Sequence, residues 1–345
     1  MAHLSSAYVL YFLTRGVYVK SSAHVTHVAL GAALLHIVSP AGVFLSAPYA
    51  ESVFSFLNIS GFALYLRGMD RAYGHATLIQ RLQLVFAGLV FGIAATIRSN
   101  GLLSGLPFLY DAIARTWALL NHGYSTRRLC DLTSLIIGGL LVASGLVIPQ
   151  LFAYRMYCVD IAETARQPWC SRAIPSIYGW VQEHYWYVLS KRLAAEANTC
   201  RDVGLLKYWT VSNIPLFLLA TPMLWVLAYS AFQALWPDST SNRGSSSAKA
   251  ASLVTDKPDE GALVRLALPQ MLLAILALLV YNVQIITRLS SGYPLWYIWL
   301  AERVVNSTGI GRGELSPVGS KYIFHFMVLY ALIQGGLFAS FLPPA

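Results

Sequence analysis

Long apolar runs separated by short polar turns constrain this chain more than any other feature. Apolar windows fall near 4–19, 26–45, 51–67, 83–97, 102–120, 132–153, 208–236, 264–287 and 322–342. A helix needs about 20 apolar residues to cross a bilayer. The pattern therefore predicts an all-α, polytopic transmembrane protein with eight or nine membrane helices, the first and third being short. Only 11% of the 345 residues are charged and the mean hydropathy is +0.57, whereas about a quarter of an ordinary soluble domain is charged. Residues 1–345 read as a single multi-pass membrane domain, without internal repeat or soluble domain.

The net charge of +9 does not point to nucleic acid. The basic residues are scattered through short turns, with no basic face interleaved with exposed aromatics. Phospholipid headgroups and an anionic lipid substrate are the expected partners, and most of the Trp and Tyr residues fit interfacial belts. Met1 to Val19 carries Arg15 within the apolar run and no small-residue cleavage site follows, so no cleavable signal sequence is expected.

Charge alternates between successive turns: Arg15 and Lys20, none from Ser46 to Ala50, then Arg67, Arg71 and Arg81, then Arg98 alone, then Arg127 and Arg128. The richer turns belong on the cytosolic side. Segments 154–206 and 288–321 are then luminal loops. Residues 237–261, rich in Ser, Asp and Lys, read as a disordered cytosolic linker. Asn306-Ser307-Thr308 is a candidate glycosylation sequon in a luminal loop, while Asn58-Ile59-Ser60 falls inside a helix. Cys158 and Cys170 share one polar loop and suit a disulfide in an oxidising lumen or two free thiols equally.

Four luminal polar clusters remain once the spans are removed: Pro48 to Glu51, Arg98-Ser99-Asn100, the stretch from Pro168-Trp169-Cys170 to Gln182-Glu183-His184-Tyr185-Trp186, and Asn282 to Tyr297. The candidate substrate-binding residues are Glu51, Arg98, Asn100, Gln182, His184, Gln284 and Arg288. Arginine suits a phosphate, aromatic faces a sugar ring, and Asn and Gln its hydroxyls, so the set fits a phosphate-linked sugar. Blander roles stand beside this one. Arg98 would snorkel to the interface, Glu51 would favour the start of the following helix, and His184 would anchor at the membrane surface. Gln284 and Arg288, at i and i+4, share a helical face. No metal-ligand spacing, phosphate-cradling glycine loop, His-Glu-x-x-His or Gly-x-Ser-x-Gly elbow is present.

Taken together, several strings resemble the GPI mannosyltransferase 2 family, polytopic endoplasmic reticulum enzymes of the GT-C type. They are Ser39 to Ser52, Arg98-Ser99-Asn100-Gly101, Pro168-Trp169-Cys170, Pro175 to Tyr178, Val181 to Trp186, Val203 to Trp209, Ile214 to Pro222 and Gln284 to Tyr297, in family order over nearly the whole chain. The resemblance implies an α-1,6-mannosyltransferase that adds the second mannose to the lipid-linked GPI precursor. Its donor would be dolichyl phosphate mannose, the transfer would take place in the ER lumen, and no separate cofactor is expected. An accessory membrane subunit is a further expected partner.

Two departures accompany it. The family's first luminal loop carries a Trp-Asp pair, where the acidic residue is the expected base, and that region is absent ahead of Met1. The catalytic residue is therefore unassigned. Tyr187 to Arg201 look inserted, and deleting them restores Trp-Asp-Val-Gly in frame. One codon choice places a GTATGT donor at Trp186-Tyr187-Val188 and a TGCAG acceptor at Cys200-Arg201, as in a retained short intron; a true loop insertion is the alternative. A non-catalytic transporter or scaffold subunit, or an inactive fragment of the enzyme, is the competing reading of the whole.

Overall fold

A computed structural model of the chain describes residues 1–18, 22–70, 76–160, 166–172, 175–181, 209–237, 257–281, 283–307 and 317–340. Ten helices of 13 residues or more stand among them: α1 (Ala2–Val17), α2 (Ala23–Ile37), α3 (Ala50–Met69), α4 (Leu78–Ile97), α5 (Leu106–His122), α6 (Thr126–Tyr154), α7 (Ile214–Leu235), α8 (Glu260–Leu279), α9 (Leu295–Ser307) and α10 (Pro317–Ala339). The spans Leu78–Ile97, Thr126–Val159, Ile214–Leu235 and Glu260–Leu279 are each long and apolar enough to cross a membrane, and Ala23–Ile37 and Tyr322–Gly336 are shorter apolar helices. The chain is a polytopic, all-helical membrane protein.

Local sequence sets several boundaries. Ser22 Oγ accepts from the Val25 amide at the start of α2. Thr77 and Gln80 form a reciprocal capping box at the start of α4, the arrangement that satisfies two orphan amides at once. Gly123 follows α5 at φ 78°, a left-handed conformation that glycine adopts without a Cβ clash. Helices α4 and α6 approach closely through glycines. A Cβ on Gly88 would lie 2.4 Å from the Gly138 carbonyl oxygen, and one on Gly145 would lie 2.0 Å from that of Gly92. Small residues at a helix crossing permit this approach in an apolar medium.

Contacts between helix termini define two ends of the bundle. At one end, Tyr18 pairs with Pro258, Arg81 Nε meets Asp131 at 2.8 Å, and His24 Nε2 lies 2.9 Å from Asn306 Oδ1. At the other lie Glu51, Arg98 and Arg288, with Gly335 of α10 near Val43.

Three segments look different in the structure from their sequence reading. Residues 288–307, read as part of a luminal loop, are helical: a turn at Ile286–Leu289, a 3₁₀ turn at Ser290–Gly292, then α9. Helix α9 is 13 residues long and packs against α2 and α7, so it is too short to register as a span yet buries Trp296, Tyr297 and Leu300. It carries Asn306 away from the Glu51 end, so Asn306 lies in the last turn of a helix at the opposite end. The 102–120 window resolves into a 3₁₀ segment, Ser99–Gly105, followed by α5. The linker read at 237–261 ends in ordered residues, with the Asp259 amide bonded to the Val17 carbonyl at 2.7 Å and α8 starting at Glu260; most of that linker lies outside the described residues.

Candidate active site at the Glu51 end of the bundle

Glu51 occupies the first turn of α3, where a carboxylate is favoured by the helix dipole. It is 1% exposed, and a carboxylate so placed needs charged partners. It has two. Arg98 Nη1 lies 2.6 Å from Glu51 Oε1, and Arg288 reaches the same oxygen through Nε at 2.8 Å and also through Nη2. Arg98 is therefore bound to an internal carboxylate rather than merely snorkelling to the interface.

Aromatic rings close one side. The Arg288 guanidinium stacks over Phe44 at 4.0 Å and stands 5.7 Å from the Tyr49 ring centroid. Phe44 and Tyr49 meet edge to face at 5.3 Å. Cation–π contact of this kind fixes a guanidinium's plane as well as its position. With two cations on one anion the cluster keeps one net positive charge. The Arg98 and Arg288 side chains stay 20% and 23% exposed.

The polar turn after α4 is built from its own sequence. The Gly101 amide bonds the Arg98 carbonyl at 2.9 Å, and a Cβ at Gly101 would lie 2.9 Å from Ala95 Cα. Asn100 is buried, its carbonyl accepting from Tyr293 Oη at 2.9 Å. Ser99 Oγ lies 3.2 Å from Tyr178 Oη, and Gln150 Oε1 accepts from Ser176 Oγ at 3.1 Å, which draws residues 175–181 over this end. Cys158 and Cys170 are bonded to one another with Cα atoms 5.5 Å apart, beside Trp169, which is 1% exposed.

The structure thus brings Glu51, Arg98 and Arg288 together, with Asn100 in the adjoining turn. Gln284 sits in the 3₁₀ turn before Arg288, where its carbonyl accepts from Thr287 Oγ1 at 3.3 Å. Gln182, His184 and Tyr187 to Arg201 lie outside the described residues. Sequence reasoning missed Phe44, Tyr293 and Asn58. Asn58 donates to the Gly292 carbonyl at 2.9 Å and accepts from Ser104 Oγ at 2.8 Å. Its signal was present: it follows Glu51 by seven residues, on the same helical face. Among the described residues no group of three or more His, Cys, Asp or Glu is placed to hold a metal ion.

Comparison with known proteins bears on this cluster. The family described as Mannosyltransferase (PIG-V) matches residues 1–345. GPI mannosyltransferase 2 of Aspergillus oryzae is 39% identical, over 100% of this chain and 72% of the relative. The protein of that name from Chaetomium globosum is 41% identical over 100% of this chain and 69% of its own length. The one from Yarrowia lipolytica is 30% identical, over 100% and 73% respectively. No solved structure matches. A match over the full length, together with identities up to 41% along the whole chain, places this protein in the PIG-V mannosyltransferase family of glycosyltransferases.

Proposed function

We propose that this chain is the transferase that adds the second mannose to the GPI-anchor precursor, through an α-1,6 linkage, from dolichyl phosphate mannose. The site of reaction is the Glu51 end of the bundle, facing the lumen of the endoplasmic reticulum, within a GT-C type fold of eight or nine membrane crossings. One observation carries the reading: two arginines converge on one buried carboxylate, leaving a net positive site at the end of a membrane bundle. The short turns support this orientation, since the opposite end holds Arg15, Arg67, Arg81, Arg127 and Arg128.

In this site the guanidiniums of Arg98 and Arg288 receive the donor phosphate, whose negative charge grows as the sugar–oxygen bond breaks. Donors already oriented toward that charge lower the barrier without reorganising. Glu51 holds the two arginines side by side. A carboxylate bonded to two guanidiniums is a poor proton acceptor, because both cations favour its ionised form. The base for the acceptor hydroxyl is therefore a group other than Glu51. The acceptor would lie over the turn that carries Asn100 and against Tyr178. Gln182, His184 and Gln284 are proposed for further contacts with the lipid-linked substrates, and an accessory membrane subunit for the complete enzyme.

Complementation tests the reading. A cell lacking its second GPI mannosyltransferase receives this chain, or a version without Tyr187 to Arg201, and surface GPI-anchored protein is scored. Rescue by either version supports the assignment; rescue only without Tyr187 to Arg201 shows that this stretch blocks activity, and sequencing the transcript then decides between a retained intron and a true loop insertion. Failure of both, with each present in the membrane, favours the competing readings, a non-catalytic role or an inactive fragment of the enzyme.

A further inference from the structure

Three polar contacts are stacked down the bundle, and each joins the same three stretches of chain. The upper one is Glu51 with Arg98 and Arg288. The middle one is Asn58, bonded by Ser104 Oγ at 2.8 Å and bonding the Gly292 carbonyl at 2.9 Å. The lowest is Asp111, which accepts from Arg265 Nε at 2.7 Å and Nη2 at 2.8 Å and from the Tyr65 hydroxyl. Helix α3 supplies Glu51, Asn58 and Tyr65, spaced by seven and seven. Residues 98–111 supply Arg98, Ser104 and Asp111. Residues 265–292 supply Arg265, Arg288 and Gly292.

The lowest contact has no part in the chemistry above. Tyr65 lies fourteen residues beyond Glu51, about 21 Å along a helix at 1.5 Å per residue. Yet it holds a charged pair at the wall of a cavity that Arg67, Asp70, Arg115 and Asp259 also line, with Tyr65 fully buried, Asp111 4% exposed and the Arg265 side chain 18% exposed. Such a pair is expensive to desolvate, and an apolar replacement of similar volume is often equally stable or more so. What an apolar replacement lacks is direction: a bidentate guanidinium–carboxylate pair fixes both distance and angle. The 3₁₀ segment Ser99–Gly105 is the part that most needs this. It is short, has poorer hydrogen-bond geometry than an α-helix, and carries Asn100 directly after Arg98 on its way down to Asp111.

We infer that Asp111, with Arg265 and Tyr65, is a positioning residue for the active site: it locks the register of 98–111 and of α8 against α3, and so sets where Arg98 and Arg288 stand relative to Glu51. This rests on the proposed function only for its kinetic consequence. A displacement of about 1 Å at a reacting centre can cost about 100-fold in rate, so the distant contact has enough leverage to matter.

The experiment compares the full chain with Tyr65→Phe and with the combined Tyr65→Phe, Asp111→Leu and Arg265→Met variant, in detergent or membranes. Amide hydrogen exchange at 99–104 and 288–292 is expected to quicken about tenfold in both, since partial release of a local unit shows as faster opening there. Exchange in α4 and α6 stays unchanged and the combined variant melts no lower than the unaltered chain. With dolichyl phosphate mannose, the donor KM rises about tenfold while kcat falls less, as expected for weakened ground-state phosphate contacts; a role in stability alone leaves that ratio untouched. Unchanged exchange at 99–104 in a folded combined variant overturns the inference. If that variant does not fold, unchanged exchange in Tyr65→Phe overturns it. An unaltered chain that shows no transferase activity counts against the proposed function alone, because the exchange measurement still decides the positioning role.

Discussion

Glu51 and Arg288 are separated by 237 residues in the chain and joined through one carboxylate oxygen in the fold. Arg98 shares that oxygen, so a single buried acid governs where both cations point. The arrangement has consequences for binding, stability and topology.

Replacing Glu51 by Gln removes the negative charge that bridges the two guanidiniums. Breaking a buried pair by removing one partner typically costs about 3–5 kcal/mol, and the two arginines then repel. Glu51→Gln is expected to melt lower and to support less than a tenth of normal GPI mannosylation. Thermal unfolding and surface GPI-protein staining check this, and normal staining removes Glu51 from the site.

Arg98 and Arg288 are not interchangeable with lysine. Lysine keeps the charge but loses the planar fork and, at 288, the stacking over Phe44. Loss of one charge-assisted hydrogen bond is worth about 1.5–3 kcal/mol. Arg288→Lys should therefore raise the donor KM by about tenfold or more, and Arg98→Ala further still. Donor titration in membranes measures both, and the effect should exceed that on the acceptor KM.

The Cys158–Cys170 bond closes a short loop of sequence separation 12. In the chain-entropy account such a loop contributes about 2–3 kcal/mol. Cys158→Ser or Cys170→Ser should lower the melting temperature without changing the depth at which Trp169 is buried. A reduced-against-oxidised gel comparison and tryptophan quenching report the two effects separately.

Asn306 carries a sequon but lies in the last turn of α9, bonded to His24, at the end of the bundle remote from Glu51. With the Glu51 end in the lumen, no glycan is added there. Endoglycosidase treatment should leave the chain's mobility unchanged, and a shift abolished by Asn306→Gln would reverse the orientation.

Gly101 marks a place where volume decides. Its Cβ position sits 2.9 Å from backbone atoms of Ala95, and backbone cannot yield as a side-chain tip does. Gly101→Val should displace the Arg98 turn and cost about 1–3 kcal/mol, the usual range for overpacking, with activity falling further than stability.

The apolar runs by themselves determined that this is a helical membrane protein, because a bilayer tolerates little else built from such segments. They also located most helices to within a few residues, and residue chemistry marked Glu51, Arg98, Asn100 and Arg288. The helix α9 escaped because 13 residues are too few to register as a crossing, although packing against α2 and α7 buries Leu295 to Ile298, Leu300 and Ala301. That single added helix reverses the side on which Asn306 lies. Only the tertiary structure could pair Glu51 with both arginines, or align Tyr65, Asp111 and Arg265 beneath them. Local sequence fixes dihedral preferences and periodicity, whereas pairing across 237 residues depends on how whole helices pack, a property no window of sequence contains.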